Sequence, residues 1–182
     1  MSKKNNYSYV SLLTNDSYTY GIILLAASMR QVKTKYPLHV LVTKNVSTTS
    51  LEILNQLKVT YEVVDTIPIS DEVYNYNFNI NKKLAVTWKN CWTKFKIFDL
   101  TQFDKIVFLD ADIMVLKNLD HLFSKPHMTA ALDGECFGLW PDRPHFNSGC
   151  LVIEPNHELF ENILEYSYGI TASDLYGEVF AD

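Results

Sequence analysis

An α/β fold with a mostly parallel central sheet is predicted from three features of the sequence. Residues 7–13, 38–42 and 59–64 are short apolar or β-branched runs, and the segments between them carry apolar residues at helical spacing. That alternation of strand, helix, strand, helix and strand is the pattern of a doubly wound sheet. Further along, Ile106-Val107-Phe108-Leu109 is an unbroken apolar run with two β-branched members, as expected for a strand buried in such a sheet. Finally, 182 residues with 47% hydrophobic content suffice for one domain with a real core.

The elements follow in chain order. Thr14-Asn15-Asp16-Ser17 is a turn rich in helix N-caps. The helix after it runs through Tyr20, Ile23, Leu24, Ala27 and Met29 and ends in a basic segment before Pro37. Leu51, Leu54 and Leu57 recur at three-residue steps behind Ser and Thr caps, which predicts a second helix. Residues 65–83 break the rhythm with Pro68 and four asparagines between positions 75 and 81, and are expected to form an irregular surface loop. Helical spacing resumes over residues 82–98 and leads into the central strand. Strands are expected at 128–132 and 150–153, a loop at 133–143, and an amphipathic helix at 156–168 through Leu159, Phe160, Ile163 and Leu164. There is no internal repeat.

Composition narrows the function. A net charge of -5 leaves no basic footprint for nucleic acid or an anionic membrane. Three cysteines, an odd number without metal-ligand spacing, read as reduced thiols, and the sequence is expected to be soluble and cytoplasmic. Residues 22–27 are apolar for only six positions, far short of a membrane span.

Chemistry concentrates where the central strand ends. Asp110-Ala111-Asp112 follows the apolar run directly, and side chains alternate along extended chain, so both carboxylates are expected on one side of the strand end. Ligands of open α/β sheets bind at the carboxyl ends of strands. Oxygen ligands of this kind suit Mg²⁺ or Mn²⁺, cations that bridge to phosphates. Three further groups stand out. Thr14 and Asn15, with Tyr18 one turn on, offer hydrogen bonds and a ring to a base, or simply cap a helix. Asn147-Ser148-Gly149 offers an amide and a close backbone approach, or simply a glycine bulge. Lys94 on the preceding helix offers a point charge, or is simply solvated.

Taken together, these stretches resemble the glycogenin-like family of retaining, nucleotide-sugar-dependent glycosyltransferases, family 8, with a GT-A fold. The resemblance rests on residues 10–18, on Trp92-Thr93-Lys94-Phe95-Lys96-Ile97-Phe98-Asp99-Leu100-Thr101, on Phe108-Leu109-Asp110-Ala111-Asp112 with its sequel to residue 123, on Ala130-Ala131-Leu132-Asp133, and on Phe146-Asn147-Ser148-Gly149. These five occur in the family's order over nearly the whole chain. The resemblance implies a Rossmann-like α/β/α architecture, shortened at its C-terminus, that forms a single nucleotide-sugar-binding domain over residues 1–182.

By position, the resemblance implies that Asp110 and Asp112 hold Mn²⁺, or Mg²⁺, against the donor diphosphate, with Asp110 and Ala111 close to the nucleotide. Leu12, Thr14, Asn15 and Tyr18 would surround the uracil. Lys94 would approach the phosphates or the sugar, and Asp133, Asn147, Ser148 and Gly149 would lie at the transferred sugar. The implied reaction moves a hexose from UDP-glucose or UDP-galactose to an acceptor hydroxyl with retention. The acceptor would be a saccharide, a polyol or a protein, and a homodimer is compatible with the resemblance.

Two departures accompany it. The family's third metal ligand is a histidine in a His-x-x-Gly-x-x-Lys-Pro-Trp stretch that this sequence does not contain. The family's Asp-Gln pair at the reaction centre is represented at most by Asp182. The sequence is accordingly expected to correspond to the front two-thirds of the family domain, and His145 is the histidine placed to substitute as a ligand. A nucleotide-sugar-binding remnant without activity is the alternative. A sugar-nucleotide-forming nucleotidyltransferase is set aside, because the first turn, Leu13-Thr14-Asn15-Asp16, has neither the glycine nor the basic residue a triphosphate loop requires.

Overall fold

The structure is a computed structural model that describes residues 5–133 and 145–174. It divides into two compact units, Met1–Val64 with Gln102–Pro155 and Asp65–Thr101 with Asn156–Asp182.

The first unit holds a six-stranded sheet. Its elements are β1 (Tyr7–Leu13), α1 (Thr19–Gln31), β2 (Leu38–Thr43), α2 (Thr48–Gln56), β3 (Thr60–Val64), then β4 (Lys105–Leu109), β5 (Thr129–Asp133) and β6 (His145–Ile153). The strand order is β3-β2-β1-β4-β6-β5. Strands β1, β2, β3 and β4 pair in parallel, as the alternating pattern predicts, while β6 runs antiparallel to both β4 and β5. The fold is α/β with a mostly parallel central sheet, as the sequence led us to expect. The chain builds outward from β1 to β3, then returns to place β4 on β1's other side. That reversal is a topological switch point, where such sheets open a crevice at the strands' carboxyl ends.

Burial explains why these residues form the sheet. All six residues of β2 are buried, as are four of the five in β4. Tyr9, Leu13, Val40, Val42, Val107 and Leu109 form one core face with Ile22 and Leu25 of α1 and Leu54 of α2. Each strand contributes alternate residues to that face, the period-two pattern of extended chain. The Tyr9 hydroxyl donates to Asp120 Oδ1 at 2.9 Å, which gives a fully buried phenol a polar partner. Helix α2 begins at an N-cap, Ser47, whose hydroxyl accepts from Ser50 N. Helix α1 ends at Gln31, inside the basic segment expected to close it. Lys33 adopts φ 55° there, a left-handed position that terminates the helix.

The second unit is helical: α3 (Asp71–Ile80), α4 (Lys82–Trp88), a 3-10 segment (Cys91–Asp99) and α5 (His157–Tyr168). It corrects two expectations. Residues 65–83 are not an irregular loop, since Ser70 caps α3 by accepting from Val73 N, and Asp71 and Glu72 sit favourably in its first turn. Val73 and Asn77 are fully buried, and Tyr74 stacks on Phe78 at 5.9 Å one turn on. The asparagines suggested a loop by propensity, and tertiary burial overrides that preference. The single helix expected over 82–98 is also two pieces, α4 and the 3-10 segment. That segment packs Trp92 edge-on to Tyr168 at 5.1 Å and holds Ile67 N through Thr93 Oγ1 at 2.9 Å. Asn156 N donates to Phe98 O, and His157 Nδ1 lies 2.7 Å from Asp99 Oδ1, so α5 is tied to the segment at its first turn. Among the described residues, no helix is long and apolar enough to cross a membrane.

Candidate functional site

Three short segments of the first unit meet beyond the carboxyl ends of β1 and β4. The first is the Asp110–Asp112 turn. Asp110 N donates to Gly149 O at 3.0 Å, and Ile113 N closes a turn onto Asp110 O at 3.2 Å. The two carboxylates therefore leave the strand in a tight turn and not on extended chain, which corrects the alternation argument while keeping both at the strand end. Ala111 is buried, Asp110 half-buried and Asp112 exposed, so the turn is anchored at its middle and open at its far side.

The second segment is the entry to β6. Against β5 the register jumps, from Ala130 opposite Leu151 to Ala131 opposite Asn147, which bulges Ser148, Gly149 and Cys150 out of that ladder. The glycine-bulge reading is thus real, and it coexists with a contact to the carboxylate. A Cβ built on Gly149 would lie 2.8 Å from Asn147 Oδ1 and 3.0 Å from Asp110 Oδ2. Only glycine leaves this space. Asn147 spends its carbonyl on Gly149 N at 2.7 Å, which leaves the amide hydrogens of this exposed residue to act as donors. Beside them the Cys150 thiol is pushed up in pKa, by burial first and by the Asp110 charge second.

The third segment is the β1–α1 connection. Asn15 is a helix N-cap, accepting from Ser17 N at 3.0 Å, while its amide reaches Thr14 Oγ1 at 3.3 Å. The plain capping role weighed for this residue is present. The Thr43 hydroxyl holds Thr14 O at 2.7 Å. Leu12 is half-buried, and Tyr18 is 42% exposed. Helix α1 starts at Thr19, directly after Tyr18.

Two residues that sequence reasoning passed over tie these segments to the neighbouring helices. Gly21, in the first turn of α1, would carry a Cβ only 2.2 Å from Ala111 O, so the helix backbone rests directly on the Asp110–Asp112 turn. The available signal was a glycine inside a helical pattern, which costs about 0.5–1 kcal/mol against alanine and so asks for a packing reason. Asp16 was passed over because it reads as one more capping residue. Its carboxylate accepts from Ser47 N at 2.9 Å and Ser50 Oγ at 2.7 Å, and these bonds hold its pKa below the ordinary carboxylate value.

The family model for glycosyl transferase family 8 matches residues 9–174. The chain belongs to that family. Glycogenin-1 of Oryctolagus cuniculus is 35% identical over 161 residues, which cover 86% of this family 8 chain and 44% of the relative. UDP-glucuronate:xylan alpha-glucuronosyltransferase 2 of Arabidopsis thaliana is 33% identical over 162 residues, covering 86% and 24%. The chain thus spans less than half the length of these relatives. Among solved structures, apo GlyE of Streptococcus pneumoniae TIGR4 superposes with a TM-score of 0.59 at 16% identity, covering 96% of this chain and 41% of that one. Galactosyltransferase LgtC with donor and acceptor sugar analogs gives 0.53 at 17% identity, covering 91% and 68%. At these identities the likeness establishes the GT-A fold.

The remaining residues named from the sequence of this family 8 chain sit as follows. Asp133 ends β5 opposite His145 of β6, so the register puts its backbone at the same sheet edge as Asn147. Ser148 is buried within the bulge. Lys94 belongs to the second unit, in the Cys91–Asp99 segment. Asp182 lies outside the described residues, as does most of the 133–143 loop. Among the described residues, no group of three His, Cys, Asp or Glu side chains gathers to hold a metal.

Proposed function

We propose that this chain carries the donor site of a Mn²⁺-dependent glycosyltransferase that moves a hexose, glucose or galactose, from UDP to an acceptor hydroxyl with retention. The observation that carries this reading is the convergence of the Asp110–Asp112 turn, the Gly149 bulge and the 14–18 loop at the switch point between β1 and β4. Family 8 membership and glycosyltransferase relatives support the same class of reaction. In this reading residues 1–182 act as one nucleotide-sugar-binding domain in the cytoplasm, with UDP-glucose or UDP-galactose as donor.

The donor set fits a hard cation. Two carboxylates with no third protein ligand beside them among the described residues suit Mn²⁺ or Mg²⁺, which take one or two carboxylates and complete their shell with water and phosphate oxygens. Asp110 and Asp112 would hold the ion, which when bound would neutralise the diphosphate as a leaving group. The chain's own side chains do the rest. Tyr18 stacks on the uracil, and Leu12, Thr14 and Asn15 enclose it. Asn147 donates from its amide to a sugar hydroxyl, and the buried face of the Asp110–Asp112 turn excludes water behind the diphosphate. Asp133, Lys94 and Asp182 belong to the sugar and phosphate side in this assignment.

A second reading is a nucleotide-sugar-binding remnant without transfer activity. Calorimetric titration of UDP, with Mn²⁺ and again with EDTA, tests the donor site. Binding should require Mn²⁺ and should vanish in Asp112→Asn, whose metal-free melting temperature stays near wild type. Equal UDP binding by wild type and Asp112→Asn would remove Asp112 from the site. Hydrolysis or transfer from UDP-glucose or UDP-galactose separates the enzyme from the remnant.

A further inference from the structure

The 14–18 loop and the Asp110–Asp112 turn come from strands far apart in sequence, and two contacts fix the distance between them. At one end, Gly21 lets the first turn of α1 sit on the Ala111 carbonyl. A Cβ there would fall 2.2 Å from that oxygen, about 1.2 Å inside ordinary contact at 3.4 Å. Both partners are backbone, so no side chain can swing away to make room. The segment beyond the turn then follows α1: Val115 N donates to the buried Ser28 Oγ at 3.0 Å, and Asn118 Nδ2 reaches Val32 O at 3.3 Å. Turn and helix are thus joined along their length, with the closest approach at Gly21.

At the other end, Asp16 brackets the loop onto the start of α2. Its Oδ1 accepts both Ser47 N and Ser50 Oγ, and Ser50 Oγ is in turn 2.9 Å from Thr19 Oγ1 at the start of α1. Ser50 and Thr19 are buried, while the Asp16 carboxylate that they support is exposed. Neither Gly21 nor Asp16 is assigned a direct contact with a ligand.

We infer that Gly21 and Asp16 are positioning residues of the donor site: together they set the span between the loop that would hold the nucleoside and the turn that would hold the diphosphate. The inference rests on the donor-site reading. It divides the work between the two residues. Gly21 fixes the diphosphate end relative to α1, whereas Asp16 fixes the loop itself. A ligand that bridges both ends feels either change, and a ligand confined to the nucleoside end feels only the second.

The test compares UDP with Mn²⁺, by calorimetry, and uridine alone, by ligand-observed NMR, in the full chain. Wild-type protein, Gly21→Ala, Asp16→Ala, Asp16→Asn and a control, Gly169→Ala, are used; the control's Cβ meets its neighbours at 3.4 Å. Displacements near 1 Å at a positioned group cost up to about 10²-fold. Gly21→Ala should therefore lose UDP affinity by about 10- to 100-fold while uridine binding holds. Asp16→Ala should weaken both ligands, and Asp16→Asn, which keeps an acceptor oxygen for Ser47 N and Ser50, should restore both. Gly169→Ala should match wild type. Failure of wild type itself to bind UDP with Mn²⁺ would overturn the donor reading and this inference with it. Wild-type binding with unchanged UDP affinity in folded Gly21→Ala and Asp16→Ala would overturn the inference alone. If Gly21→Ala does not fold, the Asp16 pair decides: Ala and Asn binding alike overturns it.

Discussion

Gly149→Ala tests whether the Asp110 carboxylate stands where the donor site needs it. The new methyl would lie 2.8 Å from Asn147 Oδ1 and 3.0 Å from Asp110 Oδ2. Both are ends of side chains, so the fold absorbs the change by moving them. Asn147 must release Gly149 N, a 2.7 Å hydrogen bond worth about 0.5–1.5 kcal/mol. Crowding a packed position adds about 1–3 kcal/mol. A combined loss of about 1.5–4.5 kcal/mol lowers the melting temperature of a chain this size by roughly 3–18 °C. The Asp110 oxygen must also retreat by about 0.4 Å to regain ordinary contact at 3.4 Å. Groups that orient a metal ligand typically change metal affinity by about 10- to 100-fold when altered, and a similar fall is expected in Mn²⁺-dependent UDP affinity. Circular dichroism melting and calorimetry at 15 °C, roughly well below the transition of ordinary domains, read the two effects separately. A lowered melting temperature with wild-type UDP affinity would refute the link between Asp110 and the ligand. An unchanged melting temperature would refute the packing described at Gly149.

Other outcomes follow from the same contacts. Tyr18→Ala removes an exposed ring; UDP affinity should fall by about 1–3 kcal/mol, as for a base stacked on an aromatic, and unchanged affinity would exclude Tyr18. Tyr9→Phe deletes the hydroxyl that donates to Asp120 Oδ1. Asp120 keeps Lys35 N and Asn118 Nδ2 as donors, so urea unfolding should show a loss of about 1–2 kcal/mol, and a wild-type midpoint would contradict this. His39 is buried, with Nδ1 beside Thr60 Oγ1, and burial lowers its pKa against the opposing pull of Glu62. Its unfolded form binds a proton more readily, so stability should rise with pH from the lowered native value up to about 6.5 and level off above. His39→Gln should flatten that slope in urea midpoints measured across the window; parallel slopes would count against it.

The sheet was legible because its signals are local and redundant. Ile106 to Leu109 could only be a buried strand, and the residues around 7–13 and 38–42 carry the same mark. The amphipathic helix α5 was equally plain from Leu159, Phe160, Ile163 and Leu164. Helix α3 was not legible, because what decides it is the complete burial of Asn77 and Val73, and asparagine carries the opposite local preference. At the candidate site, the residue types of the Asp110–Asp112 pair and the 147–149 stretch were visible. Their meeting through Gly149 and Gly21 was not, since a glycine's lack of a side chain says nothing about which backbone or oxygen will fill the space. Asp16 looked like one more cap among Thr14, Asn15 and Ser17, and only the folded position of Ser47 and Ser50 distinguishes it.

The placement of β1 in the middle of the sheet also governs how the chain is made. Its pairing with β4 joins Tyr7 to Lys105, 98 residues apart. By then β2 and β3 have been synthesised and can assemble on the other side of β1, so at about 5–20 residues per second the inner border of β1 waits roughly 5–20 s on the ribosome for its partner. During that interval an apolar strand with Tyr9, Val10 and Leu13 stands with its backbone hydrogen bonds unmade on one side. Nascent chains halted before residue 105 should therefore recruit strand-binding chaperones or associate with one another, whereas chains released after β6 should not.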